Sequence, residues 1–222
     1  MVDSFARSID GNCGPEPECW SYPVTDKQTL DVYNEKAAEY AEKFCQGVKS
    51  DRHLDAFMNR LPEGGVVLDL GCGPGRSSAV MAHAGFSVLG TDASEEMVKL
   101  AAAQEGVAAR VATFDELEGE AIFDGVYANF SLLHAAREDL PRYLGAIAKA
   151  LKPGGVFHIG MKTGAGMKRD QIGRRYTFVS EDELSTLLSD AGLTPVYTQT
   201  GEEIGLAGTL DPWVVMQATK NA

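Results

Sequence analysis

The chain has 222 residues, of which 44% are apolar and 23% charged, and a net charge of −12; these values exclude a fibrous or wholly disordered chain and allow one generous domain. No apolar run reaches the roughly 18 residues of a membrane span, and the first thirty residues, with Asp3, Arg7, Asp10, Glu16 and Glu18, hold no signal-peptide centre, so a cytoplasmic protein without a membrane partner is expected. The acidity argues against general nucleic-acid affinity, and Cys13, Cys19, Cys45 and Cys72 lack ligand spacing, so neither metal nor disulfide framework is expected.

Residues 1–24 are rich in Gly, Pro, Ser and acid without periodicity, which predicts a flexible arm ahead of a single domain over 25–222. From Thr25 to about residue 46, Leu30, Tyr33, Ala37, Tyr40, Ala41 and Phe44 recur at steps of three and four, the stripe of one amphipathic helix. Val66 to Leu70 reads as a buried parallel strand ending at Gly71. A helix over about Arg76–Ala84, a strand over Ser87–Thr91 and a helix capped by Ser94 follow. Further strands are expected at Ala109–Thr113, Gly125–Phe130 and Gly155–Met161, with a helix on Leu140, Leu144, Ile147 and Leu151 between the last two. Ser180 and Glu183 form a capping box for a helix that ends at Gly192. Pro195–Thr200 and Trp213–Thr219 close the chain as an antiparallel pair. Strands alternating with helices predict an α/β fold: a doubly wound sheet, mostly parallel with an antiparallel last strand, and helices on both faces.

Strand, glycine turn and helix meet at Val67-Leu-Asp-Leu-Gly-Cys-Gly-Pro-Gly75. Glycines at Gly71, Gly73 and Gly75 let backbone approach a ligand and aim helix N–H groups at it. The third glycine of a dinucleotide fingerprint would fall on Arg76, too large for the close helix packing that glycine serves, which disfavours a nicotinamide oxidoreductase. Asp92 ends the second strand, where a carboxylate accepts the two hydroxyls of a ribose. Loop and acid together point to a nucleoside ligand.

These segments, with Phe123-Asp-Gly-Val-Tyr-Ala-Asn and Leu151-Lys-Pro-Gly-Gly-Val-Phe, resemble the class I, Rossmann-like S-adenosylmethionine-dependent methyltransferases over about residues 28–219. The resemblance implies seven strands with the last antiparallel, and S-adenosylmethionine as cofactor. It places Asp69 and Gly71 by the methionine end, Asp92 on the ribose, Ala93 and Phe114 against the adenine faces, and Asp115 near the adenine amino group. Tyr33 and Tyr40, seven apart, resemble the aromatic pair that related enzymes lay over the cofactor as a lid.

Asn129, Phe130, Ser131 and His134 follow the fourth strand, at the sheet edge where open α/β folds bind ligands. Asn129 is expected beside the cofactor, and His134 as the group that takes a proton from a hydroxyl, amine or thiol acceptor. His158 is expected to be packed, and His53 and His83 carry no signal. Between Lys162 and Arg175 five cations stand against Asp170 alone, and Arg169, Arg174 and Arg175 are expected to pin a carboxylate or phosphate. The expected function is methyl transfer to a small molecule, an anionic one being favoured by this basic island. The alternatives are a binding module without chemistry and an RNA methyltransferase guided by the island.

Overall fold

The computed structural model describes residues 25–44, 51–205 and 208–221, so the arm over 1–24 and three of the four cysteines lie outside the described residues. The expected N-terminal helix is two helices, α1 (Lys27–Glu35) and α2 (Ala37–Phe44), joined at Lys36, whose φ of −107° leaves the helical region. Asp26 starts α1 by accepting the Thr29 N–H, one of the donors a helix start leaves unpaired. Helix α3 (Arg52–Met58) was not expected; Asp51 caps it by accepting the His53 and Leu54 N–H groups.

Strand β1 (Val66–Leu70) leads through the glycine turn into α4 (Arg76–His83) and β2 (Ser87–Asp92), and Ser94 caps α5 (Glu95–Ala102) by accepting the Met97 N–H. Strand β3 (Val107–Val111) lies two residues earlier than expected, because Gly106, at φ +74°, turns the chain directly into it. β4 (Phe123–Asn129), α6 (Leu140–Ala150) and β5 (Leu151–Lys162) follow. The basic island is not a plain loop: β6 (Met167–Arg169) and β7 (Arg175–Thr177) pair as a short antiparallel hairpin. After α7 (Glu181–Asp190), β8 (Leu193–Ile204) and β9 (Leu210–Lys220) pair along their whole length, from Leu193 with Lys220 to Ile204 with Leu210.

The main sheet has the order β3-β2-β1-β4-β5-β9-β8, and β9 runs antiparallel to both its neighbours while the other pairings are parallel. The doubly wound α/β expectation is met. The order reverses between β1 and β4, so the connections leaving these two strands diverge to opposite faces and open a crevice at their C-terminal ends. One core lies under α6 and α7 and includes Leu144, Ile147, Leu184 and Leu188. The other lies under α3 and α4 and joins Leu54, Phe57, Val80 and Met81 to Val67 and Tyr127.

Phe57 is 0% exposed, and its ring lies so close over Gly125 that a Cβ there would come within 2.7 Å of its Cζ. Phe57→Ala is expected to cost about 3–5 kcal/mol, the range for emptying a buried aromatic site, measured as a fall in the urea midpoint with unchanged slope.

Candidate active site

At the C-terminal ends of β1, β2 and β4 lies a cleft of ≈ 480 Å³. The glycine turn forms its floor. The Gly71 and Cys72 N–H groups bond the Thr91 carbonyl at 2.7 and 2.9 Å, which folds the turn back over β2. Gly71 has φ +74°, and a Cβ on it would stand 2.3 Å from that of Ser131; a side chain there is excluded twice over, by strain and by space. Gly73 has open space beside it and lines the cleft. Gly75 does not line it. Its missing side chain instead brings α4 against α5, since a Cβ would lie 2.7 Å from the Ala101 Cα. The close helix approach that Arg76 seemed to forbid is thus supplied one residue earlier.

Asp92 ends β2 with one carboxylate oxygen accepting the Gly73 N–H and the other the Ser94 N–H, both at 2.9 Å. It therefore ties the turn to the start of α5, while each oxygen keeps a lone pair for a further donor. Burial raises its pKa, against the lowering effect of these backbone bonds. Asp69, 3% exposed at the end of β1, accepts the Ser78 hydroxyl at 2.6 Å and is pushed up to about 7 by burial. Ala93, Phe114 and Asn129 line the same cleft, Phe114 from a single turn after β3. Asn129 accepts the His158 Nε2–H at 3.1 Å, and His158 is fully buried, stacked on Tyr127, as expected of a packed residue.

Asp115 departs from expectation. It does not line the cleft, and its carboxylate is occupied by Arg142 and the Tyr143 hydroxyl. The earlier end of β3 gives the corresponding place in the cleft to Ala112 and Thr113. The basic residues depart too. Arg169 lines neither this cleft nor the smaller chamber beside it; its Nη1 and Nη2 form a fork onto Asp26 at 2.8 and 2.7 Å. Arg174, its side chain 3% exposed, is paired with Asp170 at 2.8 Å. Arg175 lines the cleft, but its guanidinium donates to the His134 carbonyl and stands 3.8 Å from Asp26. In a mostly acidic chain the arginines have found acids of the chain itself, and the cost of an unpaired buried guanidinium enforces this.

Those pairings hold α1 over the site. Thr29 accepts the Arg175 N–H at 2.8 Å, and Asn34 accepts the Ser94 hydroxyl at 2.6 Å, so α1 spans from the β6–β7 hairpin to the start of α5. This carries Tyr33 and Tyr40 to the cleft as an edge-to-face pair 6.0 Å apart. His134, in a single turn after β4, meets Tyr33 from below. Its Nδ1 lies 2.7 Å from the Arg175 carbonyl. A carbonyl only accepts, so the proton of the neutral ring sits on Nδ1, and Nε2 accepts the Tyr33 hydroxyl at 2.8 Å. The Tyr33 oxygen in turn accepts from Arg174 Nη1 at 3.2 Å. A hydrogen-bond chain thus runs in one direction, Arg174 to Tyr33 to His134 to the Arg175 carbonyl. Burial pushes the His134 pKa down to about 3, which keeps the ring neutral.

Phe130 stands after the fourth strand as expected, whereas Trp213, Glu203 and Tyr176 were not expected at the site. Phe130, at φ +55°, turns sharply out of β4 and stands where the cleft meets the smaller chamber; such strain in a bulky residue is characteristic of ligand sites. Trp213 and Glu203 reach the same junction from the long β8–β9 hairpin, and Tyr176 lines the chamber from β7. Trp213 opened the expected last strand, but nothing in that pattern showed that it would face the cleft.

Fold, glycine turn and strand-end acid define a Rossmann-like protein built to hold a nucleoside. A family profile described as a methyltransferase domain matches residues 67–155, and the comparisons support the class I S-adenosylmethionine-dependent methyltransferases as the family this segment resembles. It is 41% identical over 104 residues to a ubiquinone biosynthesis O-methyltransferase of Caulobacter vibrioides, covering 44% of this chain and 40% of that one. It is 32% identical over 165 residues to the enzyme of that name from Paramagnetospirillum magneticum, covering 63% and 64%. The chain therefore spans only part of the length of these curated relatives. Among solved structures, Burkholderia thailandensis 1,6-didemethyltoxoflavin-N1-methyltransferase, with 1,6-didemethyltoxoflavin and S-adenosylhomocysteine bound, superposes with a TM-score of 0.72 at 28% identity, covering 88% of each chain.

S-adenosylmethionine is the cofactor of this family, and the cleft fits it. The turn at Gly71 and Gly73 offers bare backbone, Asp92 keeps acceptor capacity for hydroxyl donors, and buried Asp69 lines the same cleft.

Proposed function

We propose that the chain transfers the methyl group of S-adenosylmethionine to a small molecule held where the cleft meets its side chamber, with Tyr33 and His134 receiving the proton the acceptor gives up. The directed chain Arg174–Tyr33–His134–Arg175 carries this reading, because it leaves one basic lone pair, on His134 Nε2, reachable through a hydroxyl that itself lines both cavities. Asp92 holds the ribose, Ala93 and Phe114 the adenine, Asp69, Gly71 and Asn129 the methionine end, and α1 and α2 serve as the lid.

When bound, the cofactor supplies a methyl group on a positively charged sulfur, so the protein must chiefly align the acceptor and exclude water. The acceptor's proton passes to the Tyr33 oxygen as the Tyr33 proton passes to Nε2, and the imidazolium keeps its Nδ1–H on the Arg175 carbonyl. A ring held neutral down to about pH 3 is a weak base. It suffices for a hydroxyl or a heteroaromatic N–H, since methylation makes these groups strongly acidic. It does not suffice for an aliphatic ammonium. Two relatives named as O-methyltransferases and one named for methylation of a ring nitrogen support a small acceptor.

The test is calorimetry followed by transfer. S-adenosylhomocysteine binds and NADH does not; incubation with methyl-labelled cofactor and a bacterial metabolite extract places label in the low-mass fraction. Tight NADH binding without the sulfur ligand would overturn the reading, and label recovered only in RNA would move it to the nucleic-acid alternative.

A further inference from the structure

The chamber beside the cleft has a volume of ≈ 120 Å³, and Tyr33, Tyr40, Phe130, His134, Tyr176 and Trp213 turn their rings toward it. Tyr33 meets Tyr40 at 75° and His134 at 71°, and His134 meets Tyr176 at 50°. None of these contacts is a parallel stack.

The two cations of the chamber are already paired, and its remaining charged residue, Glu203, is exposed at the junction with the cleft. Lys162 is paired with Asp211 at 2.7 Å and Arg174 with Asp170 at 2.8 Å. A ligand anion would have to displace a carboxylate from a partly or wholly buried partner, leaving that carboxylate uncompensated. A ligand cation fares no better. Lys162 Nζ already sits 3.9 Å from the centre of the Tyr176 ring, and the Arg174 guanidinium lies 5.2 Å from the same ring and 5.6 Å from that of Tyr33. The Tyr176 and Tyr33 rings are thus held by the chain's own cations, which would repel another. The Trp213 ring lines both the chamber and the cleft, while its indole N–H is buried away from their open space.

We infer that the methyl acceptor is an uncharged planar aromatic or heteroaromatic molecule, carrying one O–H or N–H directed at Tyr33. The inference rests on the proposed methyl transfer and replaces the anionic acceptor favoured by the basic island. Walls of tilted rings grip a flat ring system by offset and edge contacts, and a chamber whose buried cations are already paired selects a neutral one.

The chain has two tryptophans, Trp20 and Trp213, so Trp20→Phe leaves Trp213 as its sole indole reporter. With that variant saturated in S-adenosylhomocysteine, titration with lumazine, 4-hydroxyquinoline and 2-naphthol is compared with titration by citrate, inorganic phosphate and choline. Saturable quenching by at least one planar probe is expected, and none by the other three. Adding Tyr176→Leu, which lies in the chamber and not in the cleft, weakens the planar probe at least tenfold, whereas Tyr176→Phe retains it. S-adenosylhomocysteine affinity, read by calorimetry, stays the same in both and shows that they are folded. Silence from all three planar probes while S-adenosylhomocysteine binds overturns this inference and leaves methyl transfer standing. Saturable binding of citrate or phosphate, lost in Arg174→Gln, restores the anionic acceptor, and binding of choline makes the chamber a cation box. If S-adenosylhomocysteine itself does not bind, the inference falls with the reading beneath it.

Discussion

Asp92→Ala is expected to weaken S-adenosylhomocysteine binding about 5- to 150-fold, the effect of 1–3 kcal/mol for leaving buried hydroxyls without a charged acceptor. The structure adds a reason beyond the ribose. The same carboxylate accepts the Gly73 and Ser94 N–H groups at 2.9 Å, so its removal also frees the glycine turn from the start of α5. Asp92→Asn separates the two contributions, because an amide keeps one acceptor oxygen and loses the charge. Its affinity should fall between those of the parent and the alanine variant, measured by calorimetry on protein whose thermal transition remains cooperative. Unchanged affinity in a folded Asp92→Ala variant would remove this residue from the site. Asp69 adds a pH dependence with a definite sign. Burial has pushed it up to about 7, so a cationic ligand nearby favours its ionised form and drives off a proton. S-adenosylmethionine affinity should therefore decline as pH falls through 7, and a flat profile from pH 8 to 5.5 would dissociate Asp69 from the cofactor's positive charge.

The glycine-turn side of the cleft was legible because backbone geometry writes it into residue type. Gly71 and Gly73 adopt left-handed conformations beside a ligand surface, and Asp92 falls where parallel β2 ends, so glycine spacing and one acid sufficed. Alternating apolar runs located the parallel strands, since burial on both faces leaves a continuous apolar segment. The chamber side was not legible for the opposite reason. Arg169, Arg174 and Arg175 drew attention by charge, but charge in sequence does not show where the counter-charge lies, and Asp26, more than 140 positions earlier, proved to be the partner of Arg169. Trp213 reaches the site because it pairs with Lys162 at the end of β5, and Glu203 because β8 and β9 go on pairing past that end, both matters of register. Helix α3 carries only a short signal: Asp51 ahead of Leu54 and Phe57 is a cap followed by a single i, i+3 apolar pair.

His134→Ala is expected to lower the transfer rate about 10²- to 10⁴-fold, the contribution of a positioned proton acceptor, while leaving S-adenosylhomocysteine affinity within a few-fold of the parent. The hydrogen-bond chain sets this expectation. With Nδ1–H committed to the Arg175 carbonyl, Nε2 is the acceptor to which the Tyr33 hydroxyl is turned, and without it the tyrosine proton has no ring nitrogen to go to. Tyr33→Phe should produce a loss of similar size, because it removes the link between acceptor and imidazole and leaves the ring in place. The double variant should be little worse than either single one, as groups acting in series are not additive. The acid side of the rate profile discriminates further. A histidine lowered to about 3 by burial does not titrate between pH 8 and 5, so the maximal rate should show no inflection near the ordinary histidine value, and any decline near 7 should appear in cofactor affinity, through Asp69. Rates are read as labelled methyl transferred into the low-mass fraction under saturating cofactor. Full activity in a folded His134→Ala variant would show that acceptor alignment alone suffices and would strip Tyr33 and His134 of the proton role, whereas activity restored to Tyr33→Phe by raising pH would show that the acceptor must ionise before transfer and that the dyad is its local base.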